Sequence, residues 1–543
     1  MNLLSTLDLG VILLYLVLVT WYGLYIYNRK KSAQLDSRGF FLAEGSLTWW
    51  AIGASLIASN ISAEHFIGMS GSGFALGLAI STYEWMSAAT LIIVAVFFIP
   101  VYLKNKIYTM PQFLSQRYSE TVSLLMAAFW LLVYVFVNLT SIIYLGAIAI
   151  SAVSGIPFGW CIVGLAIMAI FVTLGGMKVI GYTDVIQVAV LIIGGLATTY
   201  LALTMVSEKF GQGSSVWAGL SLLRQQAPTH FHMVFDSSHP YYRDLPGLAV
   251  IVGGMWVNNL NYWGCNQYIV QRALGADLNT ARSGILFAAF LKLLIPVIAV
   301  LPGIAAFVLF KEGMFQAELT DAAGNIKPDK AYPTLLNLLP SGLKGLAFAA
   351  LSAAIVASLA GKINSISTIF SLDIYRKRIK PDATEHEVVR MGRWVVVISM
   401  VIACLVAPAL RTLDQAYQFI QEYVGFIAPG VLAIFVLGLF WKKTNTISGV
   451  IGAVMTIPLS ALLKFLPAWT DGAFPDYPFL DRMSIVFLTL MSVMIALSLW
   501  RPQREAEGNV MEIDTDWFRC NNVFIAGSVL IVGILVALYT VFW

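Results

Sequence analysis

The chain has 543 residues, 59% of them hydrophobic and only 11% charged, with a mean hydropathy of +0.80. A water-soluble domain carries about 25% charged residues to solvate its surface, so a soluble enzyme or a nucleic-acid-binding module is excluded. The net charge of +4 is small, and in a membrane protein the placement of Lys and Arg carries more than their sum.

The first apolar block, LDLGVILLYLVLVTWYGLYIY, has the roughly 20 residues needed to cross a bilayer core of about 30 Å. No basic stretch precedes it and no small-residue cleavage signal follows; Arg29, Lys30 and Lys31 come at once. It reads as a retained leading helix over 8–28 with its N-terminus outside. Next, ASLIASNISAEHFIGMSGSGFALG places Asn60, Glu64 and His65 among small residues. Strongly polar groups at membrane depth cost about 2.5–3.5 kcal/mol each and by default mark function. Ser, Asn and Gly in mid-block suit an unwound point whose carbonyls face a cavity; the alternative is a tight packing face with a satisfied polar pair. STYEWMSAATLIIV then sets Glu84 and Ser87 three apart on one helical face, with Glu84 either a site acid or an interfacial one.

Asp184 stands alone in GYTDVIQV. Near the chain's midpoint VGGMWVNNLNYWGCNQY is a second Gly-rich interruption, carrying Asn258, Asn259, Asn261, Tyr262 and Trp263. Two interrupted spans, five spans apart, are what an inverted repeat with discontinuous helices shows. Lys292 lies close enough to Arg282 to snorkel in part toward the inner face. Lys362 does not: at 1.5 Å per residue it is about 21 Å from Arg376, so it must be paired or hydrated inside the protein. Gln421 and Glu422 follow in YQFIQEY.

About fourteen apolar blocks are counted, and basic residues alternate between their connections. The inside set is Arg29, Lys30, Lys31 and Arg38; Lys104, Lys106 and Arg117; Arg272 and Arg282; YRKRIK with Arg390 and Arg393; Lys442 and Lys443; Arg501 and Arg504. An even number of spans leaves both termini outside. The four cysteines (Cys161, Cys265, Cys404, Cys520) read as small hydrophobes, and His230 and His232 as loop residues. No pattern is enzymatic, no glycine loop cradles phosphate, and no repeated channel filter is present. Amides, an acid, a base, a histidine and an aromatic ring suit an uncharged solute rich in hydroxyls, which both donate and accept.

The stretches WWAIGASLIASNISAEHFIGMSGSG, YEWMSA, GGMKVIGYTDVIQ, NYWGCNQYIVQR, FAAFLK, FIQEYVG and PGVLAIFVLGLFWKKT resemble the solute:sodium symporter family, in its sodium/glucose–galactose branch, over nearly the whole chain. The resemblance implies an all-α polytopic transporter, a single membrane domain of about 14 helices. Its core would be a five-plus-five inverted repeat, 47–206 and 247–441, with the first helix of each repeat discontinuous; 446–543 would form the C-terminal helices. It implies symport of sodium with a monosaccharide such as galactose or glucose by alternating access, in a bacterial inner membrane. The rivals are a sodium symporter for an inositol, a sialic acid or an amino acid, and an uncoupled or proton-linked sugar carrier or sensor.

By motif, the implied sugar ligands are Asn60, His65, Glu84, Ser87, Asn259, Lys292 and Gln421. Tyr262 would stack on the sugar as the inner gate, and Met69, Tyr83 and Tyr417 would close the outside. Sodium, the co-transported ion, would meet the carbonyls of Ala58, Ile61 and Ala354 and the hydroxyl of Ser358. The chain departs from the pattern at three places. His65 stands where a bacterial member carries glutamine and animal members histidine. Ala357 precedes Ser358 where the family reads Ser-Ser, and Lys362 stands where the family has an apolar or small residue. Lys362 is therefore expected just inside the sodium site, partnered by Asp184, the family's acid on the inner sodium route.

Overall fold

In lipid an amide without a partner costs several kcal/mol, so apolar spans satisfy their own backbone as helices. The computed structural model describes residues 4–28, 41, 47–321, 324–412, 421–422, 424–501 and 511–543. Among these every regular element is helical, apart from one Thr320–Ile326 bridge. Ten stretches are long and apolar enough to cross a membrane, and two shorter apolar helices accompany them.

In chain order the helices that matter here begin with α1 (Thr6–Asn28), α2 (Trp49–Asn60), α3 (Ser70–Leu76) and α4 (Thr82–Ile93). Then come α5 (Glu120–Leu132), α6 (Thr140–Ser154), α7 (Phe158–Leu174) and α8 (Gly176–Lys209). The second half holds α9 (Gly254–Leu260), α10 (Gln267–Leu274), α11 (Leu278–Lys311), α12 (Leu343–Thr368) and α13 (Glu385–Val406). It closes with α14 (Ala428–Phe440), α15 (Thr446–Trp469), α16 (Phe479–Trp500) and α17 (Asn522–Val541).

The most apolar stretch of the α12 span is 89% buried, against 17% for α1 and α17. So α12 runs through the interior, while α1 and α17 turn Leu13 and Val529 outward, a surface stable only against lipid. α8 lies along α12, and α2 packs against both α8 and α11. Small residues permit that approach. A methyl group on Gly53 of α2 would fall 2.6 Å from the Gly284 carbonyl of α11, and one on Gly303 would fall 2.0 Å from the Ser70 carbonyl. α11 therefore touches the helices on both sides of the first interruption backbone to backbone.

Two breaks position the site. α2 ends at Asn60, and Ile61 is extended at φ −76°, ψ 124°. The Ser62 amide, which a continuous helix would give to Ala58, donates instead to His65 Nδ1 at 3.3 Å. In the second half a wide turn over Asn261–Cys265 ends at Asn266, extended at φ −89°, ψ 125°, before α10 begins. The interruptions expected from composition are both present.

Arg272 and Arg282 are not the loop charges expected. Each is under 5% exposed. Arg272 donates to the Ser55 carbonyl at 3.0 Å and Arg282 to the Ala95 carbonyl at 3.1 Å. A guanidinium offers five donors, so one buried arginine can bond several backbone carbonyls at once: Arg272 also reaches the Tyr268 carbonyl, and Arg282 those of Trp517 and Arg519. Lys292 does not snorkel; it is fully buried and turns inward.

Candidate functional site

The break after α2 lets Asn60 leave the helical ladder facing α9–α10, and its Nδ2 donates to Tyr262 Oη at 2.8 Å. Lys292 of α11 donates to Asn60 Oδ1 and to Glu84 Oε2. The other oxygen of Glu84 lies 3.4 Å from His65 Nε2. Beside them Ser87 Oγ donates to Asn259 Oδ1 at 2.8 Å. Four segments distant in sequence thus meet in one polar cluster, and the Lys292 ammonium also lies 5.2 Å from the Trp263 ring centre. A buried carboxylate with an ammonium on one oxygen and an imidazole on the other has its charge balanced at once. A bound solute need not supply a counter-charge.

The cluster walls a cavity of about 100 Å³, several times the roughly 10–15 Å³ that holds one water. Of the expected sugar ligands, Asn60, His65, Glu84, Ser87, Asn259 and Gln421 line it, as does Tyr262. Lys292 does not line it and stands behind the wall, bonded to Asn60 and Glu84. Tyr83 and Gln421 border both this cavity and a second one of about 500 Å³. Met69 is buried against neither cavity. Tyr417 lies outside the described residues.

Ala58, Ile61, Ala354 and Ser358 are all buried where α12 crosses the end of α2, and Ser358 Oγ donates to the Ser59 carbonyl at 3.1 Å. The Ala58 carbonyl, passed over by the Ser62 amide, and the Ser358 hydroxyl are oxygen donors of the kind a hard cation takes. The Ser59 hydroxyl, Asp184 Oδ1 and Arg272 Nη2 are buried with no hydrogen-bond partner among the described residues.

The expected pairing of Lys362 with Asp184 is corrected. Asp184 of α8 accepts from Ser55 Oγ at 2.5 Å and lies 3.8 Å from Arg272. Lys362 instead borders the central cavity, with its ammonium 5.0 Å from the Tyr268 ring centre. α12 turns that side chain toward the cavity, and α10 brings the competing cation. Glu64, which accepts from Ser141 Oγ of α6 at 2.9 Å, borders the same cavity, as do Tyr134 and Asn266, themselves bonded at 3.0 Å. Sequence reasoning assigned none of these three a role. Tyr134 lies in a block that reads as one apolar span, so nothing there signals it; Glu64 and Asn266 sit inside the two interruptions, which do.

Residues 40–456 match the model of the sodium:solute symporter family. The chain is 46% identical over 548 residues to a sodium/glucose cotransporter of Vibrio parahaemolyticus, covering 99% of each. It is 33% identical to a sodium/myo-inositol cotransporter 2 of Mus musculus, over 88% of this chain and 73% of that one. Among solved structures, a sodium-coupled sialic acid symporter in a substrate-bound outward-open state is alike in fold. The TM-score is 0.77 at 22% identity, over 92% of this chain and 99% of the other. A nucleobase-cation-symport-1 family transporter shares the fold more loosely, with a TM-score of 0.52 at 14% identity, over 86% and 96% of the two chains.

Proposed function

The chain belongs to the sodium:solute symporter family, and from that we propose that it couples inward sodium movement to uptake of a monosaccharide such as galactose or glucose. It is an integral membrane transporter, not an enzyme. The observation that carries the sugar reading is the internally balanced cluster of Lys292, Glu84 and His65 beside the amides of Asn60 and Asn259. It favours a neutral solute with many hydroxyls, since amides both donate and accept. Tyr262 supplies a ring face for the apolar side of a pyranose and, bonded to Asn60, covers one end of the site. Met69, Tyr83 and Tyr417 serve as the outer closure.

Sodium is held by Ala58, Ile61, Ala354 and Ser358, and the ion itself is cargo. A membrane potential of about 100 mV adds about 2.3 kcal/mol per charge moved inward. Asp184 lines the inner ion route, and the unpartnered atoms of Asp184, Arg272 and Ser59 support a polar passage there. Lys362 borders the sugar cavity and leaves sodium binding intact. The test is labelled-sugar uptake into proteoliposomes in sodium against choline, for native protein and Lys362→Met. Sodium-driven uphill uptake in both is expected. Sodium-independent uptake by native protein that becomes sodium-dependent in the variant would overturn the coupling. Competition by an inositol or a sialic acid, but not by galactose or glucose, would overturn the sugar.

The same reading includes about fourteen spans, repeats over 47–206 and 247–441, and both termini outside a bacterial inner membrane. Matching breaks near the start of each repeat support the repeat. Lys442 and Lys443 directly after α14, and Arg376 to Lys380 beyond α12, support an inner side there. Labelling of single cysteines placed at the two termini with an impermeant reagent tests the orientation.

A further inference from the structure

Glu422 directly follows Gln421, and its carboxylate is gripped from two helices of the C-terminal group. Arg482 Nη2 of α16 donates to Oε1 at 2.5 Å, and Lys464 Nζ of α15 lies 2.7 Å from Oε2. The three side chains are only 11–25% exposed, so water screens the pairs less than at an open surface. Lys464 is also the last of three residues four apart, which share one helical face. Thr456 Oγ1 donates to the Phe426 carbonyl at 2.9 Å and accepts from the Gly430 amide at 3.1 Å; Ser460 Oγ donates to the same carbonyl at 3.1 Å. This face of α15 therefore aims a hydroxyl, a hydroxyl and an ammonium at residues 422–430. The chain turns at Phe426 and Ile427 before α14 starts, and an interrupted helix at membrane depth needs such outside partners.

None of α15 borders the central cavity, whereas Gln421 does. We propose that Glu422 is a positioning residue. Clamped by Lys464 and Arg482, it fixes where Gln421 enters the cavity, so that α15 and α16 set substrate affinity without touching substrate. The inference rests on the reading of Gln421 as a sugar ligand. The clamp spans the segment carrying Gln421 and two helices outside the proposed repeats, and these three residues also wall the outer cavity that shares Gln421 and Tyr83 with the site. Thermal motion next to a turn would otherwise spread the amide over several positions, few of them within hydrogen-bond reach of a hydroxyl.

The test is sodium-driven sugar uptake into proteoliposomes, with KM and maximal rate measured separately. Glu422→Gln is expected to raise KM about tenfold, with the maximal rate per folded transporter within about twofold, because it removes charge from a half-buried network but keeps the shape. Lys464→Met and Arg482→Met each leave one partner in place and should raise KM about three- to fivefold, which keeps the proposal testable should Glu422→Gln not fold. Glu422→Asp, which retains the charge at shorter reach, should fall between native and Glu422→Gln. The decisive variant is Glu422→Gln combined with Gln421→Ala. If Glu422 acts only through Gln421, the pair is no worse than Gln421→Ala alone; a structural role elsewhere gives effects that add. Additive effects, or an unchanged KM in Glu422→Gln while Gln421→Ala raises it, overturn the positioning role and leave the sugar site standing. An unchanged KM in Gln421→Ala removes the ligand reading beneath it, and the positioning role falls with it.

Discussion

Glu84 joins two tasks that mutation can separate. Its carboxylate lines the central cavity, where the proposal has it accept from a sugar hydroxyl, and it also neutralises Lys292, which is fully buried. Removing one partner of a buried pair costs about 3–5 kcal/mol because the other charge stays behind. Glu84→Ala should therefore lose thermal stability as well as affinity. Glu84→Gln also removes the counter-charge of Lys292 but keeps a carbonyl that accepts from it, so it should lose less stability than Glu84→Ala while weakening sugar affinity by about 1–3 kcal/mol of lost interaction. Melting of purified protein beside uptake kinetics distinguishes the two, and equal stability of native and Glu84→Ala would contradict the buried pair. Tyr262 divides differently. Tyr262→Phe gives up the 2.8 Å bond from Asn60, about 1 kcal/mol, and keeps the ring; Tyr262→Ala gives up both. The Ala variant should bind weakly and release sugar faster from preloaded vesicles. Identical behaviour of the two variants would remove the ring from the argument.

At the scale of elements, helix ends inside or beside a membrane need partners for their free amides. α12, which carries Ala354, Ser358 and Lys362, has its first turn held by Asp8 of α1, whose Oδ1 accepts from the Gly342 and Gly345 amides at 2.7 and 2.8 Å. Asp8→Ala leaves two amides at a buried helix start and should cost about 1–3 kcal/mol of thermal stability, with Asp8→Asn recovering part of it. α11 is capped by Asp277. The hydroxyl of Thr280, with the amides of Thr280 and Asn279, holds its carboxyl below the ordinary value of 3.8. A depressed carboxyl stabilises the folded chain above the unfolded value and loses that contribution as pH falls through the native one. Native protein should thus lose stability below about pH 4 in part through this cap. Asp277→Asn, which still caps but does not titrate there, should show a shallower decline, and Asp277→Ala should be about 1 kcal/mol weaker even at neutral pH. Coincident pH–stability curves for native protein and Asp277→Asn would exclude the cap as a contributor.

For the whole molecule, the polar cluster exists because α2, α4, α9 and α11 converge, and the oxygens proposed to hold sodium come together because α12 crosses the break after α2. In the proposed transport cycle these helices move relative to α8, α12 and their neighbours. Arg272 ties α10 to both: it donates to Ser55 of α2 and lies near Asp184 of α8. Arg272→Met should leave Asp184 as a buried acid held only by Ser55. We expect sugar-driven sodium flux to fall several-fold, while sugar binding under equilibrium conditions changes by less than about twofold, because the side chains of the polar cluster keep their partners and only the Tyr268 carbonyl loses a donor. Loss of both together would place Arg272 in the sugar site instead.

The amino-acid sequence by itself determined the class and the places of interest. Long apolar runs can only be membrane helices, and Gly, Ser and Asn inside such runs mark breaks, since lipid leaves no cheaper use for them. Asn60, Glu84, Asn259 and Lys292 were legible for that reason: each is a polar group where polarity is costly. Which of them touch was not legible, because partners such as Lys292 and Asn60 are 232 positions apart and one sequence carries no record of their proximity. Arg272 illustrates the limit. By pattern it is a loop cation, yet the folded chain buries it beside Asp184 and leaves Lys362 to face the cavity above Tyr268. Two cations competed for one acid, and only packing, which brings α10 rather than the Lys362 side chain against Asp184, decided between them.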